Sequence, residues 1–488
     1  MIEFTEIFYG AMPELLLTLL AMGTMIFGVF HQNDGLLKVN KIAVASLGGC
    51  LLLVLYLFML SDYFIASYGF NMFVNLDFTV YVKVFLLLGS MMAILISRKY
   101  FEAKALNRFE YPVLIMLSTV GMMFMVSAND FLSVYIGLEL QSLCLYVLAA
   151  FNRDNTASSE AGLKYFILGA LASGLFLFGC TFIYGYAGST NFTVLRAFLG
   201  STDSISIFGL VGIVFILVGF CFKISAVPFH MWTPDVYEGS PMPVTAFFSI
   251  VPKVAAVAIL VRVLFDAFGS IYIQWQQIFY VVSILSMVLG AFAGIWQTDF
   301  KRLMAYSSIG HVGYLLIGVV AGTEFGIRGM LYYLAIYIFM NVGAFAVIIS
   351  LRNNNKPVLK LLDLSGLSQA HPLHAAMLTI FMFSMAGIPP LAGFFGKFYI
   401  FVAAIDAKLY ALAVIGVLTS VVSAYYYIRV IKLVYFDQER HQLDSVTSLG
   451  LKTVMTVSTV FVVSFFLIPE FILNIANDAA IQLIESLR

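Results

Sequence analysis

The chain has 488 residues, 62% of them hydrophobic and 11% charged, with a mean hydropathy of +0.99. Soluble globular domains carry about 25% charged residues, so this composition excludes a soluble globule and defines a polytopic membrane protein. Its 26 basic and 26 acidic residues cancel, which leaves no net field to attract nucleic acid or an acidic ligand.

Apolar stretches of about 20 residues, the length that crosses a bilayer, fall near 7–30, 41–61, 73–97, 111–128, 131–151, 161–187, 205–229, 242–265, 273–296, 303–321, 326–350, 373–404, 409–436 and 450–474. The expected fold is therefore all-α, with about fourteen transmembrane helices in one membrane domain over 1–488. The fourth and fifth stretches are separated only by Ser127-Ala128-Asn129-Asp130, and the twelfth is too long for a straight crossing. The N-terminal segment MIEFTEIFYGAMPE is acidic and lacks the positive region of a cleavable signal, so the first span is expected to persist. Basic residues gather in the odd-numbered loops, at Lys38 and Lys41, Arg98 to Arg108, Arg153, Lys301 and Arg302, Arg352 to Lys360, and Arg440 and Lys452. By the positive-inside rule these loops are cytoplasmic, and both termini face the periplasm. Cys50, Cys144, Cys180 and Cys221 stand singly in apolar spans, so no disulfide, haem attachment or iron–sulfur cluster is expected.

The most unusual stretch is 220–262, FCFKISAVPFHMWTPDVYEGSPMPVTAFFSIVPKVAAVAILVR, where two apolar spans each carry a lysine. A lysine at the bilayer centre costs roughly 2.5–3.5 kcal/mol on insertion scales, so Lys223 and Lys253 are read as proton-carrying sites. Pro228, Pro234, Pro241 and Pro243 interrupt the backbone after Lys223, and broken spans in transporters mark ion sites. The seventh helix is thus expected to be discontinuous. So is the twelfth, at Ala386-Gly387-Ile388-Pro389-Pro390-Leu391-Ala392-Gly393, with Lys397 close behind.

A shift of 164 residues lays Glu160, Gly162, Lys164 and Gly179 over Glu324, Gly326, Arg328 and Gly343. Spans four to eight and nine to thirteen number five each, and a unit with an odd number of crossings inserts its copy upside down. The chain accordingly divides into N-terminal helices 1–3 over 1–110, a five-helix repeat over 111–268, its inverted counterpart over 269–437, and a C-terminal helix over 438–488. Each unit pairs a broken helix with a lysine.

The stretches VPFHMWTPDVYEGSPMPVTAF (227–247), DFKRLMAYSSIGHVGYLLIG (299–318) and SMAGIPPLAGFFGKFYIF (384–401) resemble the antiporter-like subunits of respiratory complex I, and the similarity runs over nearly the whole chain. The resemblance implies a fourteen-helix subunit of the membrane arm of NADH:quinone oxidoreductase, in the bacterial inner membrane. Such a subunit holds no cofactor of its own and moves protons when quinone is reduced elsewhere; flavin, iron–sulfur clusters and quinone belong to partner chains. Implied neighbours are subunits K and M and the lateral helix of subunit L. Lys397 stands where subunit M has a glutamate, and an end near Arg488 is expected of a chain without the lateral extension of subunit L.

The candidate relay is Glu139, Lys164, Lys223, Lys253, His311 and Lys397, with His230 in the hinge as a secondary candidate. Glu139 is read as the only acid well inside a span, able to switch Lys223 by approach or protonation, since a nearby carboxylate favours the ammonium and burial favours the neutral amine. The competing structural readings are a plain charge partner for Glu139, snorkelling for Lys164, freed carbonyls satisfying the lysines, and packing for His311. The family has a lysine at position 164. His371 and His374 have i,i+3 spacing but no third ligand, so no metal is expected. Lys83, Arg262, Arg429 and Lys432 are read as snorkelling bases, and the run Tyr425-Tyr426-Tyr427 as packing. Two other functions compete with the proton-translocating subunit: a subunit of a multisubunit cation/proton antiporter, and a structural spacer. The GIPPLAGFFGKF and PFHMWTPDVYEG stretches favour the first reading, and a spacer has no use for mid-membrane charges.

Overall fold

The computed structural model describes residues 10–31, 35–59, 67–68, 71–104, 106–202, 205–353, 356–467 and 469–485. Thirteen of the described helices are long and apolar enough to cross a membrane. They belong to α1 (Met12–Phe30), α2 (Gly35–Met59), α3 (Asp77–Ala103), α4 (Glu110–Ser127), α5 (Phe131–Ala149), α6 (Thr156–Ala187), α7 (Ile207–Ile224), α8 (Met242–Arg262), α9 (Tyr272–Ile295), α10 (Phe300–Ala321), α11 (Glu324–Ser350), α13 (Tyr410–Phe436) and α14 (Leu449–Ser464). The twelfth apolar stretch forms two shorter helices, α12a (Pro372–Ala386) and α12b (Ala392–Asp406). The regions around Glu3, Glu6 and Arg488, on which the orientation of the termini rests, lie outside the described residues.

Side-chain caps set where many of these helices begin. Asp130, Asn155, Ser206, Asp299 and Thr323 each accept a backbone N–H of the first turn, the role for which short polar side chains are favoured. Helices that are apolar on every face belong in a core. Every residue of α8 is buried, as is nearly all of α10 and α11. By contrast α1 leaves Leu19, Met22, Ile26 and Phe30 exposed on the outside of the chain.

Two local patterns occur twice. At the start of α5, Phe131 N–H donates to Thr190 O (3.1 Å) and Phe192 N–H to Asn129 O (3.0 Å); at the start of α10, Phe300 N–H donates to Leu359 O (2.8 Å) and Leu361 N–H to Thr298 O (2.9 Å). The two helix breaks also match. α7 ends in left-handed Ser225 (φ 62), with Ala226 N–H on Cys221 O at 2.8 Å; α12a ends in left-handed Gly387 (φ 87), with Ile388 N–H on Phe383 O at 3.1 Å. Both are the six-to-one closure of a Schellman end, and both precede a cis X-Pro bond, Val227-Pro228 or Pro389-Pro390. A short helix, Trp232–Gly239, follows the first break, and α12b follows the second.

Among the described residues strand is confined to loops: Ser67–Tyr68 pairs antiparallel with Phe73–Val74, and Leu351–Asn353 with Lys356–Pro357 and with Leu443–Ser445. His371 Nε2 lies 2.7 Å from Leu443 O and His374 Nε2 3.1 Å from Ser445 Oγ, so this histidine pair holds that strand to the head of α12a.

Two of the bases assigned to snorkelling do not snorkel. Lys83 is fully buried, 2.7 Å from Oε1 of equally buried Glu14 and 3.0 Å from Asn75 Oδ1. Arg262 is buried too; it pairs with Asp266 at 2.8 Å and donates to Val126 O and Ala128 O at the end of α4. Glu14 is fully buried and Asp266 partly so, but both lie at the ends of their spans, whereas Glu139 is in the middle of α5. Hydropathy alone could not distinguish these ends, because a base that snorkels and a base that is paired have the same one-letter context.

Candidate functional site

Lys223 sits in the last turn of α7, just before the break, among apolar neighbours. Its Nζ donates to Ser142 Oγ at 2.7 Å, and Ser142 in turn donates to Leu138 O at 2.5 Å. Glu139 lies one turn earlier on α5, half-buried, and its buried Oε1 has no hydrogen-bond partner. Among the described residues no ion pair joins Glu139 to Lys223; a serine occupies the place that sequence reasoning gave to the carboxylate.

Lys253 follows Pro252 on buried α8 and donates to Ser308 Oγ on α10. Ser308 Oγ is 2.9 Å from Tyr337 OH, and the Tyr237 ring lies 5.4 Å from Lys253 Nζ. One turn along α10, His311 bridges two phenols: Nδ1 to Tyr333 OH at 2.6 Å and Nε2 to Tyr427 OH at 3.1 Å. Tyr427 OH continues to Ser307 Oγ at 2.5 Å. Tyr427 is thus more than packing, and it links α13 to α10.

Lys397, on α12b, turns back into the gap between the half-helices. Its Nζ donates to Met385 O (3.0 Å) and Ala386 O (3.1 Å), two carbonyls at the end of α12a, and to Ser420 Oγ (2.8 Å) on α13. Helix C-termini leave carbonyls unpaired, and an ammonium is a fitting donor for them. The Tyr314 ring stands 5.0 Å from Lys397 Nζ and 6.1 Å from the His311 ring, so one aromatic side chain spans the space between these two groups.

Lys164 lies apart from this buried set. It is 42% exposed, pairs with Glu160 (2.7 Å) and Asp235 (2.8 Å), and borders a cleft of about 270 Å³ between α6 and the short helix Trp232–Gly239. Arg302 extends the network to Asp235 (3.0 Å) and Glu238 (2.7 Å). The Lys164 hydrogen bond, supported by that from Arg302, holds the Asp235 carboxyl below its usual range. Buried Lys301 donates to the carbonyls of Glu238 and Ser240 beside this network. His230 is half-buried at the break, its Nδ1 without a partner. Among the described residues no group of three or more His, Cys, Asp or Glu is placed to hold a metal ion.

Buried lysines are brought next to serines, and His311 next to tyrosines; none of these hydroxyl groups was given a part in the relay from sequence, and Tyr427 was read as packing. The available signal was spacing. Ser142 follows Glu139 by three residues and Ser308 precedes His311 by three, which places each serine on the same helix face as its titratable neighbour.

A core of discontinuous helices holding isolated ammonium groups is the architecture of ion-translocating membrane subunits. The chain belongs to the NADH:quinone oxidoreductase/Mrp antiporter transmembrane family, whose model matches residues 128–423. It is 51% identical over 470 residues to NADH-quinone oxidoreductase subunit N of Rhodospirillum rubrum, covering 96% of each chain, and 49% identical over 475 residues to the subunit N of Paramagnetospirillum magneticum, again covering 96% of each. A chain of respiratory complex I from Thermus thermophilus superposes with a TM-score of 0.79 at 29% identity, covering 95% of this chain and 98% of that one. A chain of the Mrp complex from Dietzia sp. gives 0.85 at 20% identity, covering 98% of each, a likeness of fold alone.

Proposed function

We propose that this chain is a proton-translocating subunit of the membrane arm of an NADH:quinone oxidoreductase. Protons pass through a series comprising half-buried Glu139 and buried Lys223, Lys253, His311 and Lys397 while partner chains reduce quinone. The observation that carries this reading is the 51% identity to a subunit N over 96% of both chains. The fold by itself does not separate a complex I subunit from an Mrp antiporter subunit, since both superpose over nearly the full length.

Residues 111–268 and 269–437 act as two inverted units, which the paired starts of α5 and α10 and the paired breaks after α7 and α12a support. The surface network of Lys164, Asp235 and Arg302 lies at the cytoplasmic end, where it meets water, and His230 lines the break between that surface and Lys223. Flavin, iron–sulfur clusters and quinone are held by partner chains, with subunits K and M and the lateral helix of subunit L as neighbours in the bacterial inner membrane. Both termini face the periplasm. Labelling of single cysteines from outside is expected to reach engineered sites near Glu3 and Arg488 and to miss one near Lys356; the reverse pattern overturns this orientation.

The function is tested in vesicles holding the assembled complex. Protons moved per electron are expected to fall in Lys253→Ala, with no response to an imposed sodium gradient. Unchanged proton movement, or proton movement that follows sodium, contradicts the proposal.

A further inference from the structure

We propose that Ser142, Ser308 and Ser420 are the hydroxyl partners through which the three buried lysines exchange their protons. The proposal rests on the proton-translocating reading above and assigns residues that the sequence motifs do not. Each lysine of the series is bonded to one serine, and each serine comes from a different helix: Lys223 to Ser142 on α5, Lys253 to Ser308 on α10, Lys397 to Ser420 on α13.

The other buried bases supply the contrast. Lys83 is paired with the Glu14 carboxylate and Arg262 with that of Asp266. Among the described residues none of the three serine-bonded ammonium groups has a carboxylate within ion-pair distance. A carboxylate partner favours only the charged form and holds the proton in place. A hydroxyl has one proton to give and two lone pairs to accept with, so it satisfies an ammonium by accepting and a neutral amine by donating. The lysine can therefore change protonation state in a dry interior without leaving a buried donor or acceptor unpaired.

Ser308 also faces onward. Ser308 Oγ lies 2.9 Å from Tyr337 OH, and Tyr337 is one turn along α11 from Tyr333, the phenol bonded to His311. In the transfer step a proton leaves Lys253 Nζ for a Ser308 lone pair while the hydroxyl's own proton passes to the Tyr337 oxygen, so serine is regenerated and no charge remains on it. Tyr337 gives its own hydroxyl proton to Tyr333, and Tyr333 gives its own to Nδ1 of His311, so the positive charge that leaves Lys253 arrives on the imidazole. Ser142 lies one turn from Glu139, and on α13 Ser420 shares a face with Ser423 and Tyr427. Ser308 thus stands between Lys253 and the phenols around His311.

The test uses the assembled complex in vesicles and compares Ser308→Ala, Ser308→Thr and Lys253→Ala by protons moved per electron and by the deuterium solvent isotope effect on that movement. Alanine at 308 is expected to slow proton movement at least about tenfold and to change its isotope effect. Threonine, which keeps the hydroxyl, is expected to restore both, and a merely structural serine would leave the isotope effect unmoved. If the Ser308→Ala complex does not assemble, Ser142→Ala and Ser420→Ala carry the same expectation. Normal proton movement in the alanine variants, with Lys253→Ala defective, overturns the serine proposal alone. Normal movement in Lys253→Ala as well overturns the proton path itself.

Discussion

Replacing Lys223 by alanine is expected to remove most of the proton movement through this chain, and Glu139→Gln is expected to resemble it. Alanine removes the group that holds the proton; glutamine removes the negative charge that sets how tightly it is held. Opposite charges about 4 Å apart at an effective dielectric near 20 attract by about 4 kcal/mol, which is about a thousandfold in proton occupancy. In the present conformation Ser142 takes the Lys223 hydrogen bond, and Glu139 sits one turn away with an unpartnered oxygen. Protons moved per electron in vesicles, measured against the amount of assembled complex, check both variants; full proton movement in Glu139→Gln would show that the carboxylate does not govern Lys223.

Lys397 is expected to give the second large effect, and with a different signature. Its ammonium bonds Met385 O and Ala386 O as well as Ser420. Lys397→Met strips these carbonyls of their donor, and each buried polar group left unpaired costs about 1–3 kcal/mol. The methionine variant should therefore assemble poorly and move few protons. Lys397→Arg keeps donors for the carbonyls and should assemble better, yet it moves few protons because a guanidinium does not deprotonate in proteins. Assembly is read from the thermal unfolding midpoint of the purified complex beside the proton-to-electron ratio. Equal midpoints for Met and Arg would show that the lysine does not brace the helix break.

Much of this arrangement was legible in the sequence because its signals are strong and local. A lysine in an apolar span, or a Gly-Ile-Pro-Pro run inside one, violates the general pattern of membrane helices, and the structure puts a break at both expected places. The freed-carbonyl reading of the lysines describes Lys397 but not Lys223 or Lys253, whose bonds go to serines. Partners were the illegible part. Serine and tyrosine are common in apolar helices, so nothing in the letters separates Ser308, or Ser142 with its bonds to both Lys223 and Leu138 O, from serines that bond only the preceding turn of their own helix, as Ser97 bonds Ile94 O. Lys164 entered the candidate relay through the family's lysine at this place, with snorkelling as the competing reading, and its position in the third turn of α6 brings it to Glu160 and Asp235 at the surface. Long-range pairs such as Lys83 with Glu14 depend on helix packing that no local pattern encodes.

The central claim is that the buried lysines load and release protons instead of supplying fixed charge, and Lys223→Arg tests it most directly. Arginine preserves the positive charge and can donate to Ser142, but it cannot deprotonate. Proton uptake and quinone reduction are followed together in vesicles holding the assembled complex. The expected result is an assembled Lys223→Arg complex whose protons moved per electron fall as far as in Lys223→Ala. A Lys223→Arg complex that moves protons as well as the unaltered one would show that the residue supplies a fixed charge and would contradict the account.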